Sequence, residues 1–600
     1  MYYYYCYNYN NNTLYLLLLL ERRLIILLAF VVLPKAEDTF LQPVCPKLFF
    51  FRIYARIHFG INMIGGRRFC ALRKRLFSTT AAQNASTEEA AKAIERYENL
   101  RKTVPVQLSS YIGGASVNPS SSAAENHTFD LEDAARGIKI STLVEASSDD
   151  VDHAVMNAKE AQKKWESYSS LDRSRILMKA GQMLRERTEL FAELECLDTA
   201  RPLNETFYGD IKAAYDCLEY MSGLAGTALN GTSVPLEGGS WGYTRREPVG
   251  VCVGIGAWNY PLQSAVWKSA PALAAGNSII LKPAPETPLT ALEIAKLYIE
   301  AGVPSGCVNV LLGRGAVGQQ LATHPDIGKV SFTGSVETGR TVYQNAAKSM
   351  KKVTMELGGK SPLIIFADSD LNDAVSAAMM ANWYSNGEVC SNGTRVFVES
   401  NIKDDFLKLL VSRTRALKIG DPMDMKTEVG ALVSKDHYEK VSGYVNLGVR
   451  EGANLVYGGL VENSLLVDDE AFHGGYYMPP TIFDGCTDDM KIVKEEIFGP
   501  VMSILSFESE EEVVQRANNT LYGLSAGIYT RDIQRGHRIA HQLQAGTMWI
   551  NNYNLAPVEL PWLGYKSSGL GSENGPNCLM QWTKEKSIFM EMNQIECSYD

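Results

Sequence analysis

Val249–Pro261 reads VGVCVGIGAWNYP: a valine-rich apolar run, a glycine, and a polar turn closed by proline. Apolar residues fall on both faces of such a strand, the pattern of one covered on both sides in a parallel sheet. Three more short apolar runs follow, SIIL (Ser278–Leu281), VNVLL (Val308–Leu312) and KVSF (Lys329–Phe332). Between the second and third strands, TALEIAKLYIEAGVP sets Leu292, Ala295, Tyr298 and Ile299 at helical spacing. That helix is expected to stop at Gly302, where a left-handed cap carries little strain, and Pro304 blocks its resumption. Strand–helix–strand units of this kind predict an α/β chain with doubly wound parallel sheets. Such sheets bind ligands beyond the carboxyl ends of their strands.

Glycines cluster at those ends. Gly254 and Gly256 follow the first strand, and Phe332–Gly339 (FTGSVETG) follows the fourth. A glycine there lets backbone approach a phosphate or tightens a strand-to-helix turn. Neither cluster has the GxGxxG spacing with an acid about 20 residues on, so each alone reads as a structural turn before a nucleotide site.

Six hundred residues favour two to four domains. An apolar share of 46% with 21% charged residues is that of a soluble globular protein. The net charge of -10 excludes a duplex nucleic-acid binder, whose footprint is basic. The 11 cysteines are odd in number and form no CxxC pair or His/Cys ligand spacing. Neither a disulfide scaffold nor a metal site is expected, and a reducing compartment is.

Residues 1–103 are different material, expected to be a largely disordered targeting extension. The opening, MYYYYCYNYNNNTLYLLLLL, is low-complexity, without a folding pattern. Leu14–Leu33 has the length of a membrane span, but Glu21, Arg22 and Arg23 interrupt it. Each central charge costs ~3 kcal/mol and each Leu or Ile returns ~0.5, so insertion nearly balances out and membrane association is not expected. Met63–Thr87 holds five Arg/Lys, several Ser/Thr and no acid, the signature of a mitochondrial transit peptide. Translation starting effectively at Met63 and a mitochondrial location follow as expectations, with a disordered basic tail on a cytoplasmic protein as the alternative.

Asn386–Arg395, NGEVCSNGTR, sets a lone cysteine among small polar residues, where a thiol meets substrate rather than packing in a core. Cys252, inside an apolar strand, is the better candidate for inert packing. Taken in order, WNYP (Trp258–Pro261), LKPA (Leu281–Ala284), FTGSVETG, MELGGKSP (Met355–Pro362), GEVCSNGTR (Gly387–Arg395) and EEIFGPV (Glu495–Val501) resemble the NAD(P)-dependent aldehyde dehydrogenase superfamily. The likeness runs from about residue 104 to the end. SWGYTRREPVGVCVGIGAWNYP, NNYN and KEEIFGPVMSILSF are most similar to its betaine and aminoaldehyde branch.

The resemblance implies that Cys390 adds to the aldehyde. A bare carbonyl is a poor hydride donor and a thiohemiacetal is a good one. It implies Asn259 as oxyanion donor, Glu356 as general base for thioester hydrolysis, and Lys268 and Glu573 as a proton relay. For NAD it implies Trp258, Lys282, Gly334, Ser335, Gly339, Leu357, Glu496 and Phe498. Pro285, with Glu286 beside it, replaces a common ribose-binding glutamate, so NAD over NADP is favoured only in part. Tyr260, Trp267, Tyr384 and Trp562 match a cage for a trimethylammonium substrate, and Asp210 adds a carboxylate for amino-aldehydes. Each aromatic, taken singly, reads equally as core.

Two departures stand out. Glu388 replaces a glutamine and, pointing inward, would raise the Cys390 pKa. Leu563 replaces a glycine and either narrows the substrate entrance or packs aside. The expected domains are a cofactor domain over 104–355, interrupted by an oligomerisation hairpin at about 230–248, a catalytic domain over 356–572, and a C-terminal strand and tail over 573–600. A homotetramer is expected. Competing readings are a broad-specificity enzyme, a CoA-acylating relative, and a non-catalytic structural relative.

Overall fold

The computed structural model describes residues 3–7, 14–18, 81–117, 127–595 and 597–599. Contacts divide the chain into Met1–Ala85 and Ser86–Asp600. In the larger unit one sheet runs, in spatial order, through Lys352–Glu356, Lys329–Thr333, Val251–Ile255, Ser278–Lys282 and Val308–Val310, all parallel. Val251–Ile255 starts two residues later than its apolar run, because Gly250 sits at φ 117, outside extended backbone. Strand order reverses between it and Lys329–Thr333, which opens a crevice at their carboxyl ends. The helix Leu289–Ala301 buries Leu292, Ala295 and Tyr298 and ends at Gly302 with φ 120.

The second sheet orders Asn454–Tyr457, Thr481–Asp484, Val501–Phe507, Arg395–Glu399, Pro362–Ile365, Ser525–Tyr529 and Thr547–Ile550, parallel except for the first strand. The chain crosses between the sheets from Glu356 to Pro362. It then returns: Gly569–Leu570 pairs antiparallel with Lys352–Glu356. A cofactor-side sheet confined to 104–355 is therefore corrected, since its edge strand comes from the C-terminal region. Ser233–Pro235 and Trp241–Pro248 form a hairpin, and Thr583–Met590 pairs along the whole of its second strand.

The extension expected over 1–103 reaches too far. Ala81–Thr103 is a helix whose Ala93, Tyr97 and Leu100 are buried. The Tyr97 hydroxyl donates to Asp133 Oδ2 at 2.6 Å, and the Arg136 guanidinium lies 3.3 Å from the centre of its ring. Among its described side chains these three apolar anchors stand in a highly charged sequence, so its composition hides the helix. In the smaller unit Tyr3–Tyr7 and Leu14–Leu18 pair antiparallel, where no folding pattern was expected. Tyrosine suits a strand. Most of Leu14–Leu33 and of Met63–Thr87 lies outside the described residues. Among those described, no helix is long and apolar enough to cross a membrane.

Removing the Tyr97 hydroxyl takes one partner from a buried carboxylate, so Tyr97→Phe should cost about 1–3 kcal/mol and Tyr97→Ala about 3–5. Denaturant unfolding measures both, and two unchanged midpoints would place this helix outside the folded unit.

Candidate active site

The crevice opens into a cavity of about 990 Å³. Asp210, Trp258, Asn259, Tyr260, Trp267, Gly334, Ser335, Glu356, Leu357, Tyr384, Cys390, Glu496, Phe498, Trp562 and Glu573 all line it. Of the residues expected there, Lys268, Lys282 and Gly339 lie behind the wall.

Cys390 reaches the cavity on a constrained loop. Ser385, Asn386 and Gly387 sit consecutively at φ 54, 55 and 76, which costs about 1–2 kcal/mol for each residue with a Cβ. Partners hold the loop in place. Asn386 donates to the Ala431 carbonyl and accepts from the Gly430 N–H, both at 2.8 Å, and the Ser385 N–H donates to Glu205 Oε2 at 2.9 Å. The glycines after Glu356 do not serve to give that side chain room. A Cβ on Gly359 would lie 2.5 Å from the Cys390 carbonyl oxygen, and one on Gly358 would overlap the Glu496 carboxyl.

Asn259 faces this loop from the end of the Val251–Ile255 strand. Its amide donates to the Glu388 carbonyl at 2.8 Å, which orients the side chain and leaves a second N–H for another acceptor. Burial, reinforced by Glu356 and Glu496, holds the Cys390 thiol well above its usual range, opposed by the Ser391 and Cys390 N–H groups. Glu388 is not the cause. It is buried outside the cavity, with its carboxyl accepting from the Val433 N–H at 3.1 Å and 3.6 Å from His437.

Burial also lifts the Glu356 carboxyl well above the usual range, helped by Glu573 and opposed by Lys268 and the Trp562 indole. Neither Glu356 oxygen has a donor in hydrogen-bonding geometry. Behind it, Lys268 Nζ bonds Glu573 and Thr333 at 2.7 Å each, and Ser331 donates to Glu573 at 3.1 Å. Lys268 therefore acts on the cavity through Glu573.

The opposite end fits a dinucleotide. Ser335 caps the helix Val336–Ala347 by accepting from the Thr338 N–H, and this N-terminus opens beside Gly334 on the cavity. A Cβ on Gly334 would lie 2.6 Å from the Phe332 ring, while Gly339 lets the same helix pack on Leu357. Glu496, held near 6 mainly by burial, accepts from the Gly359 N–H at 3.0 Å. Lys282 lines a small pocket next door with Gly256 and Ser264, its amine brought down to about 8 by burial and supported by Glu286. Phe498, at φ 63, accepts through its carbonyl from His437 Nε2 at 2.6 Å, and Trp258 packs edge-on to both rings.

The aromatic wall is smaller than expected. Trp267 and Trp562 stand edge to face at 6.2 Å, and Tyr384, also on the lining, lies in the neighbourhood of Tyr260 and Asp210. The Tyr260 ring is already covered on one face by the Arg201 guanidinium, 4.2 Å from its centre. Asp210 is not free for a substrate amine either, because its carboxylate is paired with Arg201 at 2.7 Å. Leu563 packs against Gly546, away from the cavity lining. Arg201, Glu205 and His437 were not anticipated; a lone Arg-Pro pair and single His and Glu residues carry no spacing signal.

A doubly wound sheet presenting a dinucleotide site to a loop cysteine defines a nicotinamide-dependent dehydrogenase. Residues 121–588 match the aldehyde dehydrogenase family. Human 4-trimethylaminobutyraldehyde dehydrogenase is 50% identical over 82% of this chain and 97% of its own length. An NAD+ complex of aldehyde dehydrogenase from Bacillus cereus superposes with TM-score 0.77 at 40% identity, over 81% of this chain and 97% of that one. Betaine aldehyde dehydrogenase from Staphylococcus aureus with NAD+ gives 0.80 at 34%, over 85% and 99%. This chain belongs to the aldehyde dehydrogenase family, and it oxidises aldehydes with NAD.

Because Glu388 faces away from the thiol, Glu388→Gln should leave the pH profile of Cys390 alkylation where it is in the wild type. A profile moved to lower pH would show that this carboxylate acts on the sulfur after all.

Proposed function

We propose that this enzyme oxidises an aminoaldehyde of the 4-trimethylaminobutyraldehyde, betaine aldehyde or aminobutyraldehyde type to its carboxylic acid. The observation that carries the mechanism is Cys390, Glu356 and Asn259 on the lining of one cavity. The names of the relatives and the Trp267–Trp562 pair support the substrate class.

Cys390, deprotonated toward Glu356, adds to the carbonyl carbon, and the oxygen becomes an oxyanion. The free N–H of Asn259 and the Cys390 backbone N–H are the donors for it. Bound NAD supplies the hydride acceptor. Loss of hydride from the thiohemiacetal leaves a thioester on Cys390. Glu356 passes the thiol proton on toward Glu573 and Lys268 and then takes a proton from water, whose oxygen attacks that carbon and expels the Cys390 thiolate; the Glu356 proton returns to the sulfur as the acid leaves. For the cofactor, Ser335, Gly334 and the helix N-terminus would hold the pyrophosphate. Lys282 and Glu496 would hold the riboses, and Trp258, Leu357 and Phe498 would border the nicotinamide.

Glu356 disfavours a CoA-acylating reaction, in which a thiol rather than water resolves the thioester. The intact triad of residues disfavours a non-catalytic role. A broad-specificity enzyme is the remaining alternative. The hairpin sheet exposes Trp241, Phe589 and Met590, the kind of apolar edge a homotetramer would cover. The basic Met63–Thr87 stretch supports a mitochondrial location, which fractionation of native protein with N-terminal sequencing checks.

Cys390→Ala should abolish NADH production while NAD affinity persists; undiminished turnover would overturn the mechanism. Glu356→Gln should slow the first burst of NADH, because the thiol loses its proton acceptor, and then stall with an acylated thiol. Since burial raises the Glu356 pKa, its base form appears only as pH rises, so wild-type steady turnover should climb toward alkaline pH. In kcat/KM, trimethylaminobutyraldehyde and aminobutyraldehyde should exceed acetaldehyde, and equal values for all three would favour broad specificity.

A further inference from the structure

Arg201 is fully buried and plays no part in the steps above. It follows the helix Thr188–Thr199, in a turn where Ala200 takes φ 54. Its Nη1 donates to the Asn259 carbonyl at 2.8 Å, and its Nη2 to Asp210 Oδ1 at 3.0 Å. Glu205 Oε2 lies 4.0 Å from Nη2 and is the same atom that accepts from the Ser385 N–H at 2.9 Å. The Tyr260 hydroxyl, under the guanidinium, bonds Ser385 Oγ at 2.6 Å. Asn259 in turn donates to the Glu388 carbonyl, two residues before the nucleophile.

These contacts form a closed circuit between two loops from different sheets: the one bearing the oxyanion donor and the one bearing Cys390. We propose that Arg201 is a positioning residue for aldehyde oxidation, fixing Asn259 relative to Cys390 through the Asn259 carbonyl and through Glu205. A planar fork can hold a carbonyl and a carboxylate at once, and a lysine ammonium on a flexible stem cannot keep both directions. The surroundings give the fork its rigidity. Glu195 accepts from the Leu262 N–H at 3.2 Å and from Thr290 at 2.9 Å, so the helix Pro261–Ala274, which begins beside Asn259, is anchored at its start. The proposal rests on the assignment of Asn259 as oxyanion donor.

A double-mutant cycle tests it, with kcat and KM measured for Asn259→Ala, Arg201→Lys and the pair. Asn259→Ala should lower kcat about a hundred- to a thousandfold. Arg201→Lys should lower it about a hundredfold, as a misplaced donor does, with NAD affinity and cooperative melting retained. In the Asn259→Ala background the Arg201→Lys change should add no more than about twofold. Equal losses in both backgrounds, or an Arg201→Lys enzyme with wild-type kcat, would overturn the positioning role. A fully active Asn259→Ala enzyme would overturn the underlying assignment instead. If Arg201→Lys does not fold, the cycle is run with Arg201→Gln/Asp210→Asn, which keeps a donor for the Asn259 carbonyl without an unpaired buried charge. Failure of both to melt cooperatively would assign Arg201 to the fold and reject the proposal.

Discussion

The site depends on backbone meeting backbone where Gly359 touches the carbonyl of Cys390. The cavity wall needs a thiol from the sheet holding Arg395–Glu399 and a carboxyl from the sheet holding Lys352–Glu356. No side chain fits between the two segments, since even a Cβ would sit 2.5 Å from the carbonyl oxygen. The same Gly359 donates its N–H to Glu496, so one residue sets the nucleophile's position and that of a cofactor-side carboxylate. The strained turn Ser385–Asn386–Gly387 follows from this constraint. The loop must reverse within a few residues to reach Gly359, and Asn386 and Glu205 supply the bonds that keep it there.

Burial then sets the chemistry. Burial holds both the Cys390 thiol and the Glu356 carboxyl toward their neutral forms, and Glu356 adds to the rise at Cys390. A buried pair of this kind does little until an electrophile arrives. Once Glu356 is ionised, an attack that moves the thiol proton to its carboxylate carries the pair's single negative charge to the carbonyl oxygen, where N–H groups wait. Lys268 stays behind the cavity wall that Glu573 helps to line, yet it still pulls the Glu356 pKa down. This gives the general base an electrostatic link to a buried ion pair without a direct bond to it.

Much of this was readable from sequence because turn chemistry and strand composition are local. Val251–Ile255, Ser278–Lys282 and the Gly302 cap follow from short apolar runs and a glycine, and the motifs placed Cys390, Glu356 and Asn259 on one wall. What stayed hidden was non-local. The edge strand Gly569–Leu570 is two residues long and returns to its sheet from more than two hundred residues away, so no window of sequence contains its partner. The helix Ala81–Thr103 hides because its anchors are diluted by charged residues. Glu388 and Leu563 stood out against the resemblance, but whether they faced the site depended on rotamer and packing. Both turn away, Glu388 onto Val433 and Leu563 onto Gly546.

Arg201 alters how the proposed substrate class is best understood. A cation-binding cage needs an open ring face and carboxylates with charge to spare, and here Tyr260 and Asp210 already serve an internal cation. A guanidinium locked in place competes with a substrate ammonium by repulsion as well as occupancy, since both are positive. The substrate's cationic end is therefore best accommodated away from Tyr260, toward Trp267 and Trp562. That end of the cavity also carries Glu559, which is exposed, and Asp216 and Glu219, which are paired with Lys212 and Arg185. Aromatic faces thus supply the short-range attraction and Glu559 the uncompensated charge at longer range. The aldehyde end is left to the Cys390 wall, where Arg201 contributes order to Asn259 and no contact to the substrate.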